Sequence, residues 1–158
     1  MQVPDDADAT TLRELAQRHA TATDRDDVFE AIAEHRAADA DVLQLLLTLA
    51  PDSPTVANAV TMSPRATEAS LRGLTSAPWP GVRDHAEMAL LERELAGADP
   101  STFVTIVARF EDHPSLPLGV RHRIATHPRT PVELLRSLAD HDDAAGEAAR
   151  ARLRAMKS

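Results

Sequence analysis

The feature that most constrains the fold of this chain is a sequence unit that returns along it. Each copy ends a short apolar segment with His or Ser, usually followed by Pro and a polar turn, and then carries a pair of apolar residues spaced Leu-x-x-Leu. The first members of the four pairs are 28, 36 and 28 residues apart. Repeats of this length are single supersecondary units that bury their apolar faces only by stacking on one another. The four pairs are Leu43/Leu46, Leu71/Leu74, Val107/Phe110 and Leu135/Leu138.

The residues around these pairs indicate that the repeated segments are helical. Thr130-Pro131-Val132-Glu133 matches a capping box with Pro at the first helical position, and Thr11-x-x-Glu14 matches a capping box for the first helix. Prolines stand between the apolar segments, where the missing N–H and the ring end a helix. The pattern predicts an all-α chain of ten helices near 10–20, 26–36, 41–50, 54–62, 67–76, 80–96, 101–111, 117–126, 131–140 and 143–156.

Composition agrees with closely packed helices and excludes several kinds of site. Ala and Leu provide most of the aliphatic side chains, and the aromatic residues are Phe29, Trp79, Phe103 and Phe110. The chain has no Cys, which excludes disulfides, thiolate catalysis and cysteine-held zinc or iron–sulfur centres. There is no basic leader and no run of about 20 apolar residues, so we expect no membrane span and a cytoplasmic location. The length predicts one domain, 1–158, with residues 1–8 flexible.

The best copy of the repeat resembles a known motif. The stretch from Arg123 to Asp142, with His127-Pro128 at its turn and Leu135/Leu138 in its helix, is similar to the leucine-rich repeat variant motif, a relative of the HEAT and armadillo repeats. The resemblance implies a right-handed α-solenoid, here of about four to five stacked helix pairs, with a concave face that binds protein. A HEAT-like description stays equally open. The iron–sulfur cluster of one family member does not transfer, because the chain has no Cys.

The polar residues favour neither a catalytic nor a metal site. His122 and His127 are five residues apart, so on one helix they point about 140° apart and share no metal. His35 and His127 fall at equivalent positions before a turn, where we expect imidazole to bond to carbonyls left unpaired at a helix end. There is no nucleophile elbow and no glycine-rich phosphate loop. We therefore expect no enzyme activity, no metal and no cofactor.

Trp79 has two interpretations. It lies in the proline-held segment Ala77-Pro78-Trp79-Pro80-Gly81. As an exposed side chain it would anchor a partner, because Trp is enriched among binding hot spots. As a buried side chain it would plug the joint between adjacent helix pairs, which is the preferred interpretation.

Arginines are concentrated in the C-terminal half, whereas residues 24–52 are rich in Asp. The arginines indicate either a solvated surface, which is the simpler interpretation, or a basic end that steers a partner. The tail adds Arg150, Arg152, Arg154 and Lys157. The candidate binding residues are Trp79, Arg83, Arg109, Arg121, Arg123, Arg129 and Arg136.

The repeats and the lack of catalytic motifs predict a non-catalytic protein–protein interaction module, an adaptor or regulator with an unidentified protein partner. The alternative is nucleic-acid binding through the arginines of the C-terminal half, which would depend strongly on salt. The formal charge of −8 weighs against this alternative, because an acidic protein repels a phosphate backbone. The sequence does not specify the oligomeric state.

Overall fold

The computed structural model describes residues 3–156, and over that range it is all-helical, with ten α-helices and no strand. This confirms the predicted all-α class and, over that range, the predicted number of helices. Each predicted helix boundary lies within two residues of the observed one. A short 3₁₀ helix, Pro100–Thr102, precedes α7. The helices are α1 (Ala9–His19), α2 (Arg25–Glu34), α3 (Ala40–Leu49), α4 (Pro54–Met62), α5 (Glu68–Leu74), α6 (Pro80–Gly97), α7 (Phe103–Phe110), α8 (Pro117–Thr126), α9 (Val132–Ala139) and α10 (Ala144–Ala155).

The chain divides into two compact units, Met1–Leu90 and Leu91–Ser158, called unit 1 and unit 2 below. The division falls inside α6. Within unit 1, α1 packs on α3 and α2 packs on α4. Within unit 2, α10 packs on both α8 and α9. None of the helices in residues 3–156 combines the length and the apolar character that a membrane crossing requires.

The apolar pairs predicted from the sequence contribute to the cores, with one exception. Leu43, Leu46, Leu71, Leu135 and Leu138 are almost completely buried. The exception is the third copy, in which the predicted Val107 is only half-buried. Its predicted partner Phe110 is buried, and the other core positions of α7 are occupied by Phe103 and Ile106.

The same turn follows three helices, α2, α4 and α8, at corresponding positions of the repeated sequence unit. His35, Ser63 and His127 each follow a helix in extended conformation. In each, the side-chain Nδ1 or Oγ accepts a hydrogen bond from the amide two residues later, and the carbonyl accepts one from the amide three residues later. The histidines were expected to bond to carbonyls; instead their Nδ1 atoms accept from backbone N–H groups, because the turn aims amides, not carbonyls, at the ring.

The two predicted capping boxes are wrong. Asp8, not Thr11, caps α1, and its carboxylate accepts hydrogen bonds from the backbone N–H and the hydroxyl of Thr11, each at 2.8 Å. Thr130 does not cap α9, which begins after Pro131 without a side-chain cap. The Thr130 hydroxyl is buried and donates to the Ile124 carbonyl at 2.5 Å, which satisfies an acceptor near the end of α8.

The N-terminal segment 1–8, predicted to be flexible, falls only partly in the described range. Residues 1 and 2 lie outside it. Val3 and Ala7 are buried against the core of unit 1, and Asp8 caps α1.

Hydrogen bonds between alternate helices of unit 1 recur at nearly constant sequence separation. The bonded residues lie 26 or 27 positions apart, close to the 28-residue step of the repeat. Each bond therefore joins residues that lie about one repeat step apart in the sequence. The four bonds join Arg13 to Asp39 at 2.8 Å, Ser53 to Asp26 at 2.7 Å, Ser70 to Gln44 at 3.0 Å and His85 to Asn58 at 2.5 Å.

Candidate protein-binding groove around Trp79

An apolar groove of about 350 Å³ opens on unit 1 between α3, α5 and the segment that leads to α6. None of the residues that line it is charged. Most are small, and Trp79 is the largest. The lining residues are Gln44, Leu47, Ala50, Pro51, Ala57, Ala69, Ser70, Gly73, Leu74, Ser76, Ala77, Pro78 and Trp79.

Gly73 lines this groove, and the backbone does not require a glycine at this position. It lies inside α5, where Gly is less stable than Ala by about 0.5–1 kcal/mol. Its φ is not positive, and a Cβ built on it meets no atom within 4 Å. Neither backbone conformation nor close packing therefore explains the glycine. A side chain at this position would instead extend into the free space beside it.

Trp79 is half-buried, so neither of its two interpretations describes it alone. The side chain packs against the buried cluster of unit 1 and also lines the groove. Its loop is braced from α6, because the Arg83 guanidinium donates to the Ala77 carbonyl at 2.8 Å. Part of the Trp79 indole therefore faces the groove, and its loop is fixed by the hydrogen bond from Arg83. Arg83, another candidate binding residue, acts here as the brace.

A short chain of hydrogen bonds forms the polar edge of the groove. Thr67 caps α5, and its hydroxyl is also 2.8 Å from the hydroxyl of Ser70. Ser70 in turn donates to the side-chain oxygen of Gln44 at 3.0 Å. The exposed amide nitrogen of Gln44 has no hydrogen-bond partner among residues 3–156. It is oriented by the bond to Ser70 and is free to donate to an incoming carbonyl.

No family model, curated protein or solved structure matches this chain. The likeness to the leucine-rich repeat variant motif therefore stays a prediction, and any role for the groove rests on the groove's own chemistry.

Three of the candidate arginines, all in unit 2, are paired with carboxylates. Arg109 makes a two-pronged contact with Glu94, at 3.1 and 2.6 Å, and its guanidinium lies 4.9 Å from the centre of the Phe110 ring. Arg121 is largely buried and contacts Asp143 at 3.0 Å, with Glu111 at 3.5 Å. The third pair is Arg123 with Glu92, at 2.6 Å.

Arg129 bonds to backbone carbonyls at a helix end instead of to a carboxylate, and two other arginines of unit 2 do the same. Its Nη2 donates to the carbonyls of Leu95, Ala96 and Ala98 at the end of α6, at 3.0–3.2 Å. Helix C-termini carry unpaired carbonyls and a partial negative charge, both of which a guanidinium satisfies. Two tail arginines bind helix ends in the same way. Arg150 donates to the carbonyls of Ala139 and His141, and Arg152 to those of Ala125, His127 and Pro128.

Arg136 differs from the other five candidate arginines. It is exposed on α9, and no hydrogen bond or ion pair joins its side chain to any residue in the range 3–156. Of the predicted basic tail, Lys157 lies outside the described residues. The structure thus places most of the candidate arginines in internal contacts and leaves Arg136 available to solvent.

The formal charge is distributed unevenly. Residues 1–90 contain 15 carboxylate and seven arginine side chains, whereas residues 91–158 contain ten carboxylates and ten basic side chains. Unit 1 therefore carries the whole charge of −8, and unit 2 is neutral rather than basic. The basic end considered from the sequence is therefore not present, because carboxylates that lie among the arginines balance their charge.

The histidines do not converge on a metal. No group of three or more His, Asp or Glu side chains in the described part of the chain is placed to hold an ion. His19 lies 3.1 Å from Asp24, and this hydrogen bond lowers the pKa of the Asp24 carboxyl. His85 bonds to the Asn58 side chain. The first contact is local in the sequence, and the second joins α6 to α4.

Proposed function

We propose that this protein is a non-catalytic protein-binding module, and that the groove around Trp79 receives bulky apolar side chains of a helical segment of its partner. The observation that carries the proposal is the open, uncharged groove beside Gly73. Neither close packing nor backbone geometry requires a glycine at this position. Grooves lined by small residues accept the apolar anchors of an amphipathic helix.

The scaffold belongs to the same proposal. The recurring turn and the hydrogen bonds between residues 26 or 27 positions apart support stacking of helix pairs as in an α-solenoid. They are also what a leucine-rich repeat variant or HEAT-like arrangement would produce. Such scaffolds present surfaces for binding and need no catalytic residue.

A protein is the partner that best fits the groove. About 350 Å³ of apolar space has room for more than one aliphatic side chain. Trp79 supplies a large surface of the kind found at hot spots, and the free amide nitrogen of Gln44 can donate to a backbone carbonyl at the rim. The charge of −8 on unit 1 disfavours a nucleic acid on this side of the molecule.

Nucleic-acid binding through the arginines has less support. Five of the six candidates are already bonded to carboxylates or backbone carbonyls of this chain, as are Arg150 and Arg152. A phosphate would have to compete with those partners. Only Arg136, among the candidates, lacks such a contact within residues 3–156.

The proposal is tested by selecting random linear peptides displayed on phage against the wild-type chain and then measuring each selected peptide on Gly73→Leu. The added side chain enters open space, so the variant should remain folded by circular dichroism while its groove is filled. We expect the selected peptides to contain bulky apolar residues and to bind the variant at least about tenfold more weakly, the equivalent of one lost buried side chain.

Gly81→Leu is the matched control, because its Cβ also meets nothing within 4 Å but the residue does not line the groove. It should leave the affinities unchanged. Peptides that bind wild type and Gly73→Leu equally would show that the groove is not the binding site.

A further inference from the structure

A second groove, of about 340 Å³, lies on unit 1 between α2 and α4 and shares no lining residue with the Trp79 groove. The buried residues Ala33 and Ala59 line it with small side chains. Glu30 and Glu34 line it from α2, and Met62 from α4. It is therefore a depression of mixed polarity, in which small side chains and Met62 lie beside the two carboxylates and Arg65, and this distinguishes it from the uncharged groove around Trp79.

Met62 is the most exposed large hydrophobic side chain in residues 3–156, with 68% of its surface accessible. It sits at the end of α4, directly before the Ser63 turn. The unbranched thioether is flexible and adapts to many apolar shapes, a property used at protein-binding surfaces. A side chain of this kind beside a groove is suited to cover an apolar residue of a partner.

Glu30 and Glu34 are two carboxylates that make no ion pair within residues 3–156, although Arg65 lines the same groove. They lie four residues apart on one face of α2, an arrangement in which like charges destabilise a helix. Both are exposed, and neither has a hydrogen bond or ion pair with any residue in the described range. Other carboxylates of unit 1, among them Asp26, Asp39 and Asp52, do have such partners.

We propose that this second groove binds a basic amphipathic helical segment of a partner protein. Two Lys or Arg side chains one helical turn apart pair with Glu30 and Glu34, and an adjacent apolar side chain packs between Met62 and the two alanines. The charge complementarity is both local and general, since unit 1 carries the entire charge of −8. Arg65 also lines the groove and disfavours a further cation beside it, so the segment carries a neutral or acidic residue there.

The test uses a fluorescein-labelled amphipathic peptide of leucine and lysine, with lysines four residues apart, and follows anisotropy at about 0.15 M salt. Glu30→Gln combined with Glu34→Gln should weaken binding about five- to tenfold, the effect of losing two solvent-exposed ion pairs. Met62→Ala should weaken it about threefold or more, because the apolar cover is removed. All three residues are exposed, so the variants should unfold at the wild-type temperature or, where the like charges are removed, slightly above it.

The matched control is Asp6→Asn combined with Glu14→Gln, which removes the same two charges from exposed positions of unit 1 outside the groove. It should change the affinity by less than about twofold. An equal loss in both double variants would overturn the proposal, because the attraction would then be spread over the unit. Loss of binding in Gly73→Leu would also overturn it, since the peptide would occupy the Trp79 groove; absence of any binding would do the same.

Discussion

Two glycines, one in each unit, lie in opposite environments. A Cβ on Gly73, in unit 1, meets no atom within 4 Å. A Cβ on Gly146, in unit 2, would come 1.9 Å from the His141 carbonyl oxygen. Gly146 is thus required by close packing at the start of α10, whereas Gly73 leaves space that a ligand can fill.

Charge follows the same division. In unit 2, arginines satisfy carboxylates and the carbonyls of helix ends, and the formal charge sums to zero. In unit 1 the carboxylates exceed the arginines, and Glu30 and Glu34 stand without partners among the described residues. The formal charge of the chain therefore lies in unit 1, where carboxylates outnumber the arginines that could pair with them.

The largest effect should come from Gly146→Ala. The methyl group would overlap a backbone carbonyl, and overpacking of this kind costs about 1–3 kcal/mol, occasionally more. We expect a loss of about 3 kcal/mol in the free energy of unfolding, measured by urea denaturation followed by circular dichroism. An unchanged midpoint would show that α10 shifts freely and that unit 2 is not closely packed there.

Arg152→Met should have the next largest effect. The variant keeps much of the aliphatic length but leaves the carbonyls of Ala125, His127 and Pro128 without their guanidinium donor. Hydrogen bonds to charged groups contribute about 1.5–3 kcal/mol, so a half-buried site should lose about 2 kcal/mol. Arg136→Met, on an exposed arginine with no partner in residues 3–156, is the control and should change stability by less than about 0.5 kcal/mol. Equal effects would show that the helix-end contacts do not stabilise unit 2.

The opposite sign is expected for Gly73→Ala. Alanine is the better helix former and enters free space, so the free energy of unfolding should rise by about 0.5–1 kcal/mol. The same urea experiment measures it. A destabilised variant would show that the backbone at Gly73 needs glycine. It would contradict the inference that a side chain at this position enters free space beside the groove.

A smaller, pH-dependent difference should come from His127. Burial lowers the pKa of its imidazole, and the charges of Arg129 and Arg152 lower it further. The unfolded chain then binds a proton near the ordinary pKa of 6.5 while the folded chain does not, so stability falls as the pH drops below 6.5 towards the folded-state pKa.

Protonation of Nδ1 would also remove the acceptor for the Arg129 amide. The measurement is urea denaturation at pH 7.5 and at successively lower pH. His127→Asn is the control, because the amide oxygen can accept the same bond without titrating, and it should reduce the loss. An identical pH dependence in the variant would assign the acid sensitivity to other groups.

Local patterns predicted most of the helices and few of the contacts that matter for function. Proline positions and Leu-x-x-Leu spacing act within a few residues, so they located the ten helices to within two residues. The caps failed because Thr11 and Asp8 are both good capping residues, and the choice depends on where the chain enters the helix.

The groove and the arginine contacts lie beyond such local patterns. Gln44 meets Ser70 across 26 residues, and Arg129 reaches Leu95 across 34. The tertiary packing decides which side chain lies beside the end of a given helix. The sequence therefore does not distinguish a solvated arginine from one that binds the carbonyls of a helix end. Trp79 was identified as a candidate because Trp is enriched at binding hot spots and prolines flank it, but its half-buried state depends on neighbours in α3 and α5.

The central claim, that unit 1 binds a partner through the groove around Trp79, can be tested directly with the fluorescence of Trp79, the single Trp of the chain. A peptide selected on the wild-type chain is titrated into wild type and into Gly73→Leu. We expect the emission of the wild type to shift to shorter wavelength as the half-exposed indole is covered, and that of Gly73→Leu to stay constant. Binding with no change in the Trp79 emission, and with equal affinity for the variant, would contradict the claim.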